Sequence, residues 1–151
     1  MIWRFVLLLA LTATAAAAQE REWAFVTNDD QAWLGFGVPE SDDAGIVFSC
    51  TMGTGAIKIY VPESRKILTP GSKANVSFMA GGQAFTYSAA ILANEQAGIA
   101  SLEADAAPGD PLFAALQAAD RFALSIAGED DMFPLAGSDF ASLLSACRKG
   151  A

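Results

Sequence analysis

The chain has 151 residues, 53% of them hydrophobic and 17% charged, with a formal net charge of −8. The hydrophobic content excludes a disordered chain, and the acidic balance excludes a general attraction to nucleic acid or anionic lipid. Histidine is absent, which removes Ser-His-Asp, Cys-His and His-ligated metal chemistry together.

Met1 to Ala18 has the parts of a secretory leader. Arg4 supplies a positive n-region, Phe5 to Leu11 an apolar run, and Thr12 to Ala18 a small-residue region ending Ala16-Ala17-Ala18. The apolar run falls short of the ~20 residues a membrane-spanning helix needs. A cleaved signal over residues 1–18 is therefore expected rather than an anchor, with Gln19 left at the start. No cysteine sits at the cleavage junction, which argues against a lipid anchor. Removing 18 of 151 residues leaves 133, enough for one globular domain over 19–151. Arg4 is the only charge lost, so the net charge becomes −9. The expected product is soluble and either periplasmic or secreted, with no stable membrane insertion and no nucleic-acid partner.

Trp23 to Thr27 reads as a first strand, and Asn28-Asp29-Asp30 as a turn. Ala32 to Val38 is a second strand with Leu34, Phe36 and Val38 on one face; Gly35 and Gly37 share the other with Trp33. Glycines on one side of a strand leave room for a close approach by backbone or a large side chain. Pro39 to Gly45 is an acidic loop. Ile46 to Val61 then reads as a hairpin with a Gly/Thr turn, Ile46, Phe48 and Cys50 alternating on its first strand and Ile57, Ile59 and Val61 on its second. Pro62 to Lys73 is the longest irregular stretch. With Lys58 it gathers Lys58, Arg65, Lys66 and Lys73, interrupted only by Glu63. Such a run is either a solvated loop or an anion-binding or docking face.

Asn75 to Ala80 and Gln83 to Ala90 form a second hairpin around Gly81-Gly82, a turn that tolerates positive φ at both positions. Asn75-Val76-Ser77 spells a glycosylation sequon, relevant only in a eukaryotic host. Ile99 to Glu103 is a short strand. Asp110 suits a helix cap and Pro111 a first turn, with Leu112, Phe113 and Leu116 apolar up to about Asp120. Arg121 to Ala127 is a strand, Gly128 to Asp131 a turn, and Met132 to Leu135 an edge strand, because Pro134 cannot donate to a ladder. A last helix is capped by Ser138 and carries Phe140, Leu143, Leu144 and Cys147 on one face. Arg148 and Lys149 are expected in its last turn, with Gly150 ending it.

Two cysteines on apolar faces of an exported chain most simply form one disulfide, Cys50–Cys147. A redox pair would sit closer in sequence, and no CxxC is present. The acidic clusters Asp29-Asp30, Asp42-Asp43 and Glu129-Asp130-Asp131 fall in expected turns and lack the alternating spacing of a calcium loop. They read as solvated turn residues, and no metal or other cofactor is expected. Gly53-Thr54-Gly55 is too short for a phosphate loop. A carboxylate pair could run glycoside hydrolysis, but sequence does not bring two carboxylates face to face.

The leader, Phe48-Ser49-Cys50 running into a Gly turn, Pro111 to Leu116, and the ending Leu135 to Phe140 through Ala146-Cys147 resemble small exported proteins of Gram-negative bacteria. The ending is similar to that of periplasmic accessory proteins linked to type VI secretion. The Cys50 strand and the Gly81-Gly82 hairpin also resemble periplasmic lysozyme inhibitors. The expected fold is mainly β, an antiparallel sandwich or open barrel with two short helices near the C-terminus and closed by the terminal one, with a mixed α+β fold as the alternative. The expected function is a non-catalytic binding module whose partner is an envelope protein or cell-wall component. Its candidate surface is Lys58, Arg65, Lys66 and Lys73, with Trp33 and Tyr60 as aromatic contacts. An inhibitor or immunity-type protein against a cell-wall hydrolase is the second reading, and a carboxylate-only hydrolase the third.

Overall fold

The computed structural model describes residues 20–62, 68–94 and 99–150, with Asn94 and Ile99 described by backbone alone. The expected leader, and Arg65 and Lys66 of the basic stretch, lie outside the described residues.

Among the described residues there are nine strands: β1 (Glu22–Asn28), β2 (Gln31–Gly37), β3 (Ala44–Thr51), β4 (Ile57–Val61), β5 (Lys73–Ala80), β6 (Gln83–Asn94), β7 (Ile99–Ala106), β8 (Arg121–Ile126) and β9 (Glu129–Pro134). Two eight-residue helices are interleaved, α1 (Pro111–Ala118) and α2 (Phe140–Cys147). The strands form one antiparallel sheet in the order β1-β2-β3-β4-β7-β6-β5-β8-β9, curled into a half-barrel. Of the two expected forms, the open curled sheet is the one adopted.

Every strand turns its apolar set inward. Leu34, Ile46, Phe48, Ile57, Ile59, Phe78, Leu102, Phe122 and Leu124 are all at most 1% exposed. The curl brings distant strands face to face across the interior. Phe36 of β2 meets Phe133 of β9 at 5.7 Å between ring centroids, and the Trp23 indole Nε1 donates to the Pro134 carbonyl at 2.6 Å. Phe48 is the hub, with ring centroids 5.1 Å from Phe140, 6.2 Å from Phe113, 6.3 Å from Trp23 and 6.4 Å from Phe78. Both helices press their apolar stripes into this cluster: Leu112, Phe113 and Leu116 from α1, and Phe140, Leu143, Leu144 and Cys147 from α2. The concave side of the sheet is filled by these side chains from the strands and both helices.

Local chemistry explains the joints. Gly81 and Gly82 have φ of 56° and 77°, the two left-handed positions of a tight hairpin turn. Asp110 caps α1, accepting from the Leu112 amide at 3.0 Å while the Tyr87 hydroxyl donates to the same carboxylate oxygen at 2.6 Å. Cys50 and Cys147 are disulfide-bonded, with Cα atoms 5.8 Å apart. Beside that bond the Gly53 and Gly55 amides donate to the carbonyls of Ala146 and Cys147, at 3.0 and 2.9 Å. The turn of the β3–β4 hairpin therefore caps the C-terminus of α2, satisfying two of the carbonyls a helix end leaves open.

Several expected boundaries move. Asp139, not Ser138, is the N-cap of α2. Its carboxylate accepts from the Ser142 amide at 3.0 Å, which holds its pKa below the usual range, whereas the Ser138 hydroxyl donates back to the Leu135 carbonyl. Arg148 is the C-cap in extended conformation rather than part of the last turn, because the hairpin amides end the helix first. Glu129, Asp130 and Asp131 belong to β9. The turn is Ala127-Gly128, with φ of 51° and 82°, and it closes on the pair Ile126 and Glu129. Lys73 opens β5 opposite Ala90 instead of lying in an irregular stretch. β6 runs on to Asn94 through its pairing with β7, and β7 runs on to Ala106 through its pairing with β4.

Candidate functional site

Among the described residues, the outward side chains of the sheet include aromatic and apolar groups beside charged ones. Reading across the ladder registers, one row of outward positions runs Val26, Trp33, Ser49, Lys58, Asp105 over β1, β2, β3, β4 and β7. The adjacent row runs Ala24, Gly35, Val47, Tyr60, Glu103, Ala90, Lys73 and reaches β5. Trp33, Lys58, Tyr60 and Lys73, four of the six residues singled out from sequence, thus lie on one convex face in two neighbouring rows. Arg65 and Lys66 belong to residues outside those described.

Trp33 and Tyr60 are half-buried on this face, and Val26 is 53% exposed. One strand, β3, separates the aromatic pair, with an offset of one pleat. Ladder spacing then puts their Cα atoms roughly 12 Å apart. Between them Gly35 and Val47 form a low floor. Gly35 is not forced to be glycine, since an added Cβ would meet Val47 Cγ2 at 3.6 Å. Gly37 is forced: an added Cβ would sit 2.4 Å from the Asp43 carbonyl, at the register shift where β3 leaves β2. The close approach expected from the paired glycines is therefore a backbone approach, at Gly37 alone.

Lys58 is not a free cation. Its Nζ donates to Glu103 at 2.5 Å and lies 3.5 Å from Asp105. The hydrogen bond to Glu103 raises the ammonium pKa, opposed by partial loss of hydration and aided by the charges of both carboxylates. Sequence reasoning read Lys58 as part of a basic run because its partners lie 45 and 47 residues away, on β7. Glu103 and Asp105 are the members of this face that the sequence reading missed. Alternation alone would have set them outward on an extended β7, but not opposite Lys58. Around Lys58 the face is thus a mixed-charge strip flanked by aromatics.

Asp29 and Asp30 lie exposed in the β1–β2 turn, and Asp43 pairs with Arg21 at 2.6 Å. Among the described residues no group of three or more His, Cys, Asp or Glu side chains is placed to hold a metal ion, and no helix is long and apolar enough to cross a membrane. Comparison with protein-family models, with curated proteins and with solved structures finds no match.

Proposed function

We propose that the chain is an exported, soluble, non-catalytic binding module of the bacterial envelope. In this reading it engages an envelope protein or cell-wall component through the convex face carrying Trp33, Tyr60, Lys58 and Lys73. The observation that carries this reading is the pairing of two aromatic side chains with a networked ion pair on an outward face, over an interior already filled by Phe48, Phe113 and Phe140. Tyrosine and tryptophan supply large contact area at low cost in conformational entropy and dominate interface energetics. The Cys50–Cys147 bond supports export, since structural disulfides persist in oxidising compartments.

Affinity capture from envelope extract tests the proposal. The wild-type chain is expected to retain one partner at near-stoichiometric amount. The Trp33→Ala/Tyr60→Ala variant is expected to lose about tenfold or more of it, at the 2 kcal/mol scale of interface hot spots. Equal capture by the two proteins refutes the assignment of this face. The disulfide-bonded β-rich body also suits the inhibitor reading. Near-stoichiometric inhibition across a lysozyme panel would establish it, and no inhibition at high excess would remove it.

A further inference from the structure

β1 and β9 are the two edges of the sheet, and they differ in kind. β9 carries Glu129, Asp130, Asp131 and Pro134, the charges and proline that keep an edge from pairing. β1 has no proline, no lysine and, past Glu22, no charge through Asn28. Its register with β2 runs unbroken from Glu22 opposite Gly37 to Asn28 opposite Gln31. The two-residue turn makes that last pair hydrogen-bonded, so Asn28, Val26, Ala24 and Glu22 bond to β2. The N–H and C=O groups of Trp23, Phe25 and Thr27 then point along the free edge. Among the described residues β2 is the only strand beside β1.

We propose that β1 pairs with β1 of a second copy of this chain, antiparallel about a two-fold axis at Phe25. An antiparallel edge is self-complementary, so the contact closes on itself as a dimer. In this register Phe25 faces Phe25, Thr27 faces Trp23, and Val26 faces Ala24 on the outer side. Charge selects the register. Glu22 comes opposite the neutral Asn28 of the second copy, and Arg21, which pairs with Asp43 in its own chain, comes opposite Asp29; beyond Asp29 the chain turns back into β2. A shift of two residues toward the turn would set Glu22 against Asp30. Pairing of β1 with β9 of another copy is opposed by the acidic run and by Pro134. The dimer covers Val26, now 53% exposed, and continues the convex face across the axis.

One edge strand is a small interface, so a weak, concentration-dependent dimer is expected. Sedimentation velocity over about 5 to 500 µM reads it. The wild-type chain is expected to shift from monomer to dimer across that range. Thr27→Pro removes a free-edge N–H without removing a bond to β2, and Val26→Lys sets an ammonium beside the axis. Both variants are expected to stay monomeric with unchanged melting temperature. Register is read by cysteine pairing under mild oxidation: Ala24→Cys mixed with Val26→Cys is expected to crosslink at least about fivefold faster than either variant alone, as directly opposed positions require. A wild-type chain that stays monomeric at the highest concentration overturns the proposal. So does a dimer that survives both edge variants, or crosslinking of either cysteine variant alone at the rate of the mixture.

Discussion

Replacing both cysteines, as Cys50→Ala/Cys147→Ala, tests whether the crosslink or the packing holds α2 in the sheet. The bond spans a sequence separation of 97, and its cysteines are 6% and 0% exposed. The chain-entropy model assigns such a loop about 4.7 kcal/mol as a ceiling, with about 2–4 kcal/mol the usual yield. At roughly 4 °C per kcal/mol for a domain of this size, the melting temperature should fall by about 8–16 °C. Far-UV circular dichroism during thermal and urea unfolding measures the shift. The structure adds a local signature. The Gly53 and Gly55 amides, bonded to Ala146 and Cys147, should exchange with solvent much faster in the variant, because the end of α2 frays once its tether is gone. A shift below about 2 °C would refute the loop-entropy argument. Two titratable thiols in the unreduced, denatured wild type would refute the bond itself.

Two further substitutions probe particular strains and couplings. Ala127 holds φ of 51° in the β8–β9 turn, a left-handed conformation that costs an alanine about 1 kcal/mol. Ala127→Asn should relieve part of that cost and raise the melting temperature by about 2–4 °C; an unchanged or lower value refutes the strain. Burial raises the Tyr87 phenol pKa well above its usual value, and the hydrogen bond and charge of Asp110 add to it. The unfolded phenol ionises near pH 10 while the folded one stays protonated, so the unfolded state binds fewer protons there. Stability from this group is therefore complete below about pH 10 and declines as pH rises above it. Tyr87→Phe should cost about 1 kcal/mol at pH 7 and flatten the alkaline decline, read as urea midpoints against pH; parallel curves would refute the coupling.

The parts of this fold that were legible in the sequence are those set by local rules. Alternation in Ala32–Val38 and Ile46–Val61 marks strands whose inward residues are the buried ones. Gly81-Gly82 marks a turn because two left-handed positions demand it. The spacing of Phe140, Leu143, Leu144 and Cys147 marks the face that α2 buries. What was not legible depends on pairing at a distance. Ser138 and Asp139 are both good caps, and the choice between them follows from the Leu135 carbonyl claiming the serine hydroxyl. Arg148 falls outside α2 because amides nearly a hundred residues upstream end the helix.

The candidate surface divides along the same line. Alternation alone turns Trp33, Lys58 and Tyr60 away from the core. Whether they meet is decided by strand order, which sets β2, β3 and β4 side by side and then inserts β7 next to β4. That insertion changes the chemistry of the face. It delivers Glu103 and Asp105 to Lys58, so that this member of the basic run sits between two carboxylates. A partner selected only by positive charge would therefore meet little net attraction at Lys58, since an exposed ion pair of this kind is worth at most about 1 kcal/mol and its ammonium is already engaged. In the proposed reading, recognition on this face would rest instead on the aromatic pair and the low floor between them, with the ion pairs fixing orientation. For that reason the decisive substitutions in the capture experiment are Trp33 and Tyr60 rather than the lysines. Charge reversal at Lys58 alone should disturb the β4–β7 ion pairs more than it disturbs binding.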